Sequence, residues 1–176
     1  MLSESEVPSA GPDIDRSGRP RPAYRTATDK DATAIADLLR EAWGETRAVG
    51  HGVVYELTEL PTLLAESDGQ ILGILTYMID GDEMQIVSIN AFTPHAGVGT
   101  GLIEAAKARA RGCRRLWLTT TNDNLDALRF YQRRGFRLTT LRPGAVRLSR
   151  QLKPSIPLTG DYGIEICDEL DLELLL

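Results

Sequence analysis

The sequence predicts one domain of the α/β class, of the α+β kind, with a mixed and mostly antiparallel sheet flanked by helices. Its 176 residues leave room for one sizeable core rather than two. Residues 62–92 show three strand patterns separated by tight turns, which indicates an antiparallel meander. Residues 97–141 then run as glycine turn, helix, strand, helix and strand, which indicates a crossover helix between neighbouring strands.

The composition excludes several classes of protein. Apolar residues make up 42% and charged residues 26%, as in ordinary globular proteins, and the net charge of −5 argues against a nucleic-acid partner. No apolar run has the length of a membrane span, and the N-terminus lacks a signal-peptide pattern. Cys113 and Cys167 form no motif. We therefore expect a cytoplasmic protein with neither a nucleic-acid nor a membrane partner.

The chain begins with a segment that we expect to be a disordered tail. Residues 1–22 are rich in Ser, Pro, Gly and charge, and cannot bury enough apolar surface to offset the entropy lost on ordering. The folded domain is therefore expected over residues 23–176. It opens with a short strand at residues 24–27.

The first helix follows from hydrophobic spacing. Apolar residues recur at helical intervals through residues 31–43, behind a capping-box-like start at Thr28. Residues 44–52 are polar and contain glycine, which indicates a loop. Residues 53–60 are predicted to form a second short helix, which Pro61 ends.

The remaining elements alternate between strands and helices. Glycine ends two of the helices, at Gly112 and Gly135. In the last strand Asp171 and Glu173 alternate with leucines, which predicts that one face is exposed to water. The predicted strands are residues 62–65, 71–79, 84–92, 115–120, 136–141 and 168–176, and the predicted helices are residues 98–111, 124–134 and 143–152.

Three glycines stand between a predicted strand and a predicted helix, at Gly97, Gly99 and Gly101. Such a turn lets the chain approach a ligand and aims unpaired N–H groups at it, and the helix dipole favours an anion there. A phosphate site is one interpretation, and a tight turn without a ligand is the other. The spacing does not fit a P-loop, which needs Lys-Ser or Lys-Thr, nor a Rossmann turn, whose third glycine is replaced by Leu102.

A second segment, residues 124–136, carries a motif that helps to interpret the glycine turn. Residues 124–136 match the pattern Asn-x-x-Ala-x-x-x-Tyr-x-x-x-Gly-Phe. Together with Gly97-x-Gly99 before a helix, this segment resembles the GNAT family of N-acetyltransferases. The resemblance implies a sheet splayed at its centre, with acetyl-CoA in the cleft between two parallel strands. Family members commonly dimerise, so a homodimer is a further expectation.

The resemblance also implies which residues hold the cofactor. The family carries Gln or Arg at the start of the loop, where this chain has Pro94. Backbone N–H groups are therefore expected to bind the pyrophosphate, and Thr100 also offers a hydroxyl. The implied cofactor-binding residues are His95, Ala96, Gly97, Val98, Gly99, Thr100, Gly101, Ile89, Asn90, Ala91, Asn124, Ala127 and Tyr131.

Transfer of an acetyl group to an amine needs an acid, a base and a site for the oxyanion. By resemblance, Tyr131 is the acid that protonates the departing thiolate, since a phenol and a thiolate have similar basicity. Backbone N–H groups at residues 88–91 are expected to meet the oxyanion. Asn124 should cap the helix that it begins. The base is predicted to be Glu83, with His51 as the other titratable candidate.

These features predict an acyltransferase that moves an acetyl group from acetyl-CoA to an amine by direct attack on the thioester. The alternative is a CoA-binding regulatory or interaction module without turnover. The acceptor is a small-molecule or protein amine, bounded by residues 44–59 and 142–167. A cationic acceptor would suit the acids Glu56, Glu59, Asp80 and Asp82, whereas one with a carboxylate would suit the basic residues Arg142, Arg147, Arg150 and Lys153. The four lone His and Cys residues show no metal spacing.

Overall fold

The computed structural model describes residues 21–93 and 97–176. Most of the predicted tail, residues 1–20, lies outside the described residues. The strands are β1 Ala23–Thr26, β2 Arg47–Gly50, β3 Val53–Glu56, β4 Thr62–Ser67, β5 Gln70–Asp80, β6 Glu83–Ala91, β7 Arg115–Thr121, β8 Arg137–Arg142 and β9 Glu169–Leu175. The helices are α1 Ala32–Trp43, α2 Val98–Arg109, α3 Leu125–Gln132 and α4 Val146–Leu152, with 3₁₀ turns at Asp29–Asp31, Leu57–Glu59 and Asp161–Gly163.

Seven strands form one mixed sheet in the order β1-β4-β5-β6-β7-β9-β8. All neighbours are antiparallel except β6 and β7, which are parallel. These two strands pair only from Glu83 with Arg115 to Ile86 with Leu118. Beyond Ile86 they separate, and the sheet opens into a cleft. The predicted α/β class and the splayed centre are both confirmed.

A bulge in β6 marks the place where the cleft begins. Thr76 pairs with Ser88 while Tyr77 pairs with Ile86, which leaves Val87 as the extra residue. A bulge bends its strand and exchanges the faces of the side chains that follow. Accordingly Ile86 and Ile89, three residues apart, pack on the same core cluster, whereas a regular strand would place them on opposite faces. The bulge therefore turns β6 at the last residue that pairs with β7.

The two faces of the sheet carry two apolar clusters. Buried residues of α2 and α3, such as Leu102 and Tyr131, pack on one face. Ile35 and Leu39 of α1 pack with Leu57 on the other. The capping-box-like start predicted for α1 is confirmed as a capping box between Thr28 and Asp31, on the 3₁₀ turn that leads into the helix. Within the described ranges, no helix is long and apolar enough to cross a membrane.

The predicted second helix at residues 53–60 is wrong for most of its length. Its first half is β3, which forms a hairpin with β2, and only Leu57–Glu59 makes a 3₁₀ turn. His51 and Gly52 both have positive φ, which is the geometry of a tight hairpin turn. Adjacent β-branched Val53 and Val54 suit a strand. The pairing partner, β2, lies in a stretch whose polarity indicated a loop.

The predicted wet face of the last strand is also wrong. Asp171 and Glu173 of β9 are 7% and 8% exposed. Arg137 and Arg115 donate to Glu173, and their hydrogen bonds hold the pKa of its carboxyl below the usual value. Buried carboxylates require such partners. The acids alternate with leucines because both faces of β9 are covered, one by charged partners and one by the apolar core.

Candidate active site

The open end of the β6–β7 pair is the main cavity, with a volume of about 500 Å³. Ser88 and Ile89 line it from β6, and Thr119, Thr120 and Thr121 from β7. Asn124, Ala127 and Tyr131 line it from α3. The structure thus brings together Ile89, Asn124, Ala127 and Tyr131, which the sequence had assigned to the cofactor from two distant segments.

The opposite wall of this cavity comes from two segments far apart in the chain. Trp43, Arg47 and Leu57 line it from the end of α1 and the hairpin that follows. Lys153, Ile156 and Ile166 line it from the loop after α4. These are the two segments expected to bound an acceptor, residues 44–59 and 142–167. Only the fold brings the two segments to one cavity, because neither contains a sequence pattern that predicts a contact with the other.

The glycine turn forms the N-terminus of α2, at the same edge of the sheet. Gly97 has a φ of 74° and serves as the N-cap residue, and Gly101 N–H donates to its carbonyl at 3.0 Å. The first N–H groups of a helix have no partner within it, so they are available to an anion. Pro94, His95 and Ala96 lie outside the described residues, and their expected contacts remain predictions.

The three positions of the turn require glycine for different structural reasons. Only Gly97 needs its conformation, since a side chain at positive φ is strained. A Cβ at Gly99 would lie 3.1 Å from the Phe130 ring of α3, and one at Gly101 would overlap the hydroxyl of Tyr24. The close approach that the sequence attributed to a ligand therefore comes, at Gly99 and Gly101, from packing of α2 on its neighbours.

Another glycine places the start of α2. A Cβ at Gly73 of β5 would lie 2.6 Å from a methyl group of Val98 and 2.8 Å from the carbonyl oxygen of Asn90. The missing side chain allows Val98, which is 1% exposed, to pack directly on the sheet. The N-terminus of α2 is thereby held beside the end of β6.

Arg134 lies at the glycine turn, although the motif treats its position as variable. Its guanidinium donates to the hydroxyl of Thr100 from Nε at 3.2 Å and also from Nη2. The guanidinium carbon is 3.5 Å from the ring centre of Phe130, and Nη1 donates to the Phe130 carbonyl at 2.6 Å. Burial lowers the pKa of Arg134. A basic residue three positions after Tyr131, in a chain with Pro94 in the loop, was the signal that could have identified it.

Tyr131 is fixed by its aromatic neighbours. It is 5% exposed, and its ring meets Phe130 and Phe136 edge to face at centre distances of 5.1 and 5.3 Å. Edge-to-face pairs of this kind hold ring orientation. Burial raises the pKa of the Tyr131 hydroxyl well above its ordinary value. The phenol is therefore protonated throughout the neutral range, as a proton donor must be.

Asn124, Asn90 and the end of β6 at Ala91, all predicted to contact the cofactor, have different surroundings. Asn124 caps α3 as expected, since its Oδ1 accepts from the Ala127 N–H at 3.1 Å. Asn90 carries a buried Nδ2 without a hydrogen-bond partner among the described residues. The edge of β6 that faces β7 has no strand partner beyond Ile86, so its backbone groups up to Ala91 face the cleft. Such groups are the donors expected for an oxyanion.

Glu83 does not join this group. It lies at the paired end of β6, opposite Arg115, at the far end of the strand from Ala91. Its carboxylate accepts from Arg115 Nη2 at 2.6 Å and is also paired with Arg114. Each oxygen of this carboxylate is thus engaged by a guanidinium group. The geometry therefore does not support the prediction that Glu83 takes a proton from an acceptor.

His51 lies closer to the cleft. Its Nε2 is 2.7 Å from Asp171 Oδ1 and 2.8 Å from the hydroxyl of Thr119, and Thr119 lines the cavity. The ring stacks on Trp117 at a centre distance of 5.5 Å. Burial opposes ionisation of Asp171, but hydrogen bonds from Arg142, His51 and Thr119 outweigh it and keep the pKa of Asp171 below its ordinary value. Arg142 Nε also donates to His51 Nε2 at 3.2 Å. This nitrogen is thus held among Asp171, Thr119 and Arg142, beside the cavity that Thr119 lines.

Comparison with known proteins gives matches to one family. The model of the acetyltransferase (GNAT) family matches residues 32–136. The uncharacterized protein YxbD of Bacillus subtilis (strain 168) is 38% identical over 139 residues, which are 77% of this chain and 87% of that protein. A GNAT family acetyltransferase from Elizabethkingia anophelis, solved with acetyl-CoA bound, has a TM-score of 0.64 at 21% identity, over 89% of this chain and 99% of the other. A Bacillus subtilis acetyltransferase in complex with CoA has a TM-score of 0.63 at 17% identity, over the same shares.

Proposed function

The chain belongs to the acetyltransferase (GNAT) family, and we propose that it transfers an acetyl group from acetyl-CoA to an amine by direct attack on the thioester. The observation that carries this proposal is the β6–β7 cleft, which has the open edge of β6 on one side and Tyr131 on the other. The N-terminus of α2 stands at the same edge of the sheet. The cleft thus combines three features that acetyl transfer needs. They are backbone donors for the carbonyl oxygen of the thioester, a proton donor for the leaving thiolate, and an anion site for the pyrophosphate.

The residues present fit the chemistry of coenzyme A. The free N–H groups at the start of α2 bind the pyrophosphate, and the helix dipole favours its charge. Arg134 adds a positive charge beside Thr100 in the first turn of α2. The loop before this helix has Pro94 where the family has Gln or Arg. The Nδ2 of Asn90 is a buried donor without a partner among the described residues, on the strand whose open edge lines the cleft. Bound acetyl-CoA supplies the activated acetyl group.

The side chains around the cleft move protons. The Tyr131 hydroxyl gives its proton to the departing sulfur, and its raised pKa keeps that proton in place until the thiolate forms. Backbone N–H groups on the open edge of β6 stabilise the oxyanion. Between the two base candidates we propose His51 rather than Glu83, because Thr119 connects His51 to the cavity while two arginines engage Glu83.

The test is turnover on a panel of amines. Purified protein, acetyl-CoA and each amine are mixed, and release of free thiol is followed together with acetylated product by mass spectrometry. The panel should contain monoamines, polyamines, amino acids and peptides with free N-termini. Binding of acetyl-CoA with no turnover on any amine would leave the alternative, a CoA-binding module without activity, as the better description.

A further inference from the structure

A buried carboxylate lines the cavity and carries an oxygen without a hydrogen-bond partner among the described residues. Asp123 is 6% exposed and lines the cavity between β7 and α3. Its Oδ2 accepts from the Asp161 N–H at 3.1 Å. Its Oδ1 is buried and has no hydrogen-bond partner among residues 21–93 and 97–176. Within the same ranges no Lys, Arg or His forms an ion pair with it. One oxygen of this carboxylate therefore has an unmet hydrogen-bonding position within the described part of the chain.

The surrounding backbone fixes the carboxylate in this position. The Asp123 carbonyl accepts from Leu125 N–H at 2.8 Å at the start of α3. A Cβ at Gly160 would overlap the Asp123 carboxylate, so the loop after α4 closes directly against it. A buried charge with an unmet hydrogen-bonding position is unfavourable unless a ligand supplies the partner. Such an arrangement is typical of a binding site rather than of a core.

The charges on the opposite wall show which ligand suits the cavity. Arg47 and Lys153 also line it, but both are paired with Glu45, at 2.9 and 3.5 Å. Two carboxylates, Asp123 and Asp161, line the cavity without an ion-pair partner among the described residues, so the unpaired charge there is negative. Most of the remaining wall is apolar, with Trp43, Leu57, Ile156, Pro157 and Ile166. A cation with an apolar body matches both features.

We propose that Asp123 binds the ammonium group with which the acceptor enters the cavity, and that the acceptor is a primary amine on an apolar body. This inference rests on the proposed function, because the acceptor of an N-acetyltransferase is an amine. Asp123 acts as a binding residue here. The carboxylate accepts a charge-assisted hydrogen bond from the ammonium, while Oδ2 keeps its bond to the Asp161 N–H.

A purely structural role would have Asp123 only stabilise the start of α3 and the loop at Asp161. The two roles separate through ligand charge. Calorimetry on the wild-type protein compares three amines with the alcohols of equal shape: butylamine with butan-1-ol, 2-phenylethylamine with 2-phenylethanol, and tryptamine with tryptophol. In at least one pair the amine should bind about ten to a hundred times more tightly than the alcohol, the range expected for a charge-assisted bond.

Asp123→Asn keeps an oxygen acceptor for Asp161 N–H and removes the charge. In this variant the preference for the amine should fall to within about threefold, with alcohol binding unchanged. Asp37→Asn is the matched control, since Asp37 is an exposed residue of α1 paired only with Arg40 among the described residues. Asp37→Asn should keep the wild-type preference. If Asp123→Asn does not fold, Asp123→Ser serves in its place.

Three results would overturn the inference: equal binding of amine and alcohol in every pair, full preference retained by Asp123→Asn, or the same loss in Asp37→Asn. Failure of the proposed function is distinguishable, because these binding measurements need no turnover. A protein that prefers the amine through Asp123 but releases no thiol would contradict acetyl transfer and leave the ammonium site standing. Acetylation of amines with equal KM in wild type and Asp123→Asn would support acetyl transfer and contradict the ammonium site.

Discussion

Replacing Tyr131 by phenylalanine removes one oxygen from a ring whose position is set by other aromatic rings. Phe130 and Phe136 contact the ring edge to face, and neither contact involves the hydroxyl. The substitution should therefore change the free energy of unfolding by about 1 kcal/mol or less. Loss of a general acid lowers kcat by about 10²- to 10⁴-fold. This corresponds to about 3 to 5 kcal/mol in the activation free energy.

The assay is steady-state thiol release with the best amine of the panel, from pH 6 to 9. Tyr131→Phe should lower kcat and leave the affinity for acetyl-CoA unchanged. Because burial raises the pKa of Tyr131, its ionisation should not contribute to the pH profile in this range, and the variant should keep the wild-type profile shape. Tyr77→Phe is the control: Tyr77 is 2% exposed in the same core, and its hydroxyl accepts from Arg109 at 3.0 Å. A kcat within twofold of wild type in Tyr131→Phe, or an equal loss in Tyr77→Phe, would refute the role of Tyr131 as the acid.

Three other changes test separate parts of the structure. Arg134→Met keeps the apolar contact with Phe130 and removes the charge, so the Kd for acetyl-CoA measured by calorimetry should rise about tenfold; an unchanged Kd would mean that Arg134 does not contact the phosphates. Glu173 has its pKa lowered by Arg137 and Arg115, so its stabilising contribution is present above the unfolded pKa of about 4.3 and is lost as pH falls through the folded value. Urea midpoints between pH 6 and 3 should therefore fall less steeply in Glu173→Gln than in wild type, and parallel curves would contradict this linkage. Gly101→Ala should destabilise the protein by about 1 kcal/mol or less, because its methyl group overlaps the half-exposed end of Tyr24 while the helix gains about 1 kcal/mol of propensity. Tyr24→Ala should suppress that loss in a double-mutant cycle, and additive losses would show that the overlap is not the cause.

Periodicity predicted most of the fold because the elements concerned bury one face each. The β6 strand and the α1 helix have buried positions at the spacing of their own secondary structure, so local pattern and final environment agree. The β2–β3 hairpin was missed for the opposite reason. Arg47–Gly50 has no strand pattern of its own, and it becomes a strand by pairing with Val53–Glu56 across a turn at His51. Pairing between two weak segments is a tertiary property.

The motifs predicted Asn124, Ala127 and Tyr131, and the structure places all three on one wall of the cavity. Residues without a motif were not predictable in this way. Arg134 and Asp123 become interpretable only when Thr100 lies beside one and a cavity beside the other. Glu83 was predicted from its position at the start of a strand, but a sequence cannot show that Arg114 and Arg115 would occupy its carboxylate.

The sequence by itself determined the order of most strands and helices, the glycine turn and the family resemblance, because these depend on short-range spacing and backbone conformation. Only the tertiary structure decided what surrounds each polar side chain. Asp171 and Glu173 have the pattern of a wet strand, yet the hairpin and neighbouring arginines cover them. Burial, unmet hydrogen bonds and pKa values depend on contacts between residues far apart in the chain. Those contacts form only when the sheet, the hairpin and the loop after α4 come together.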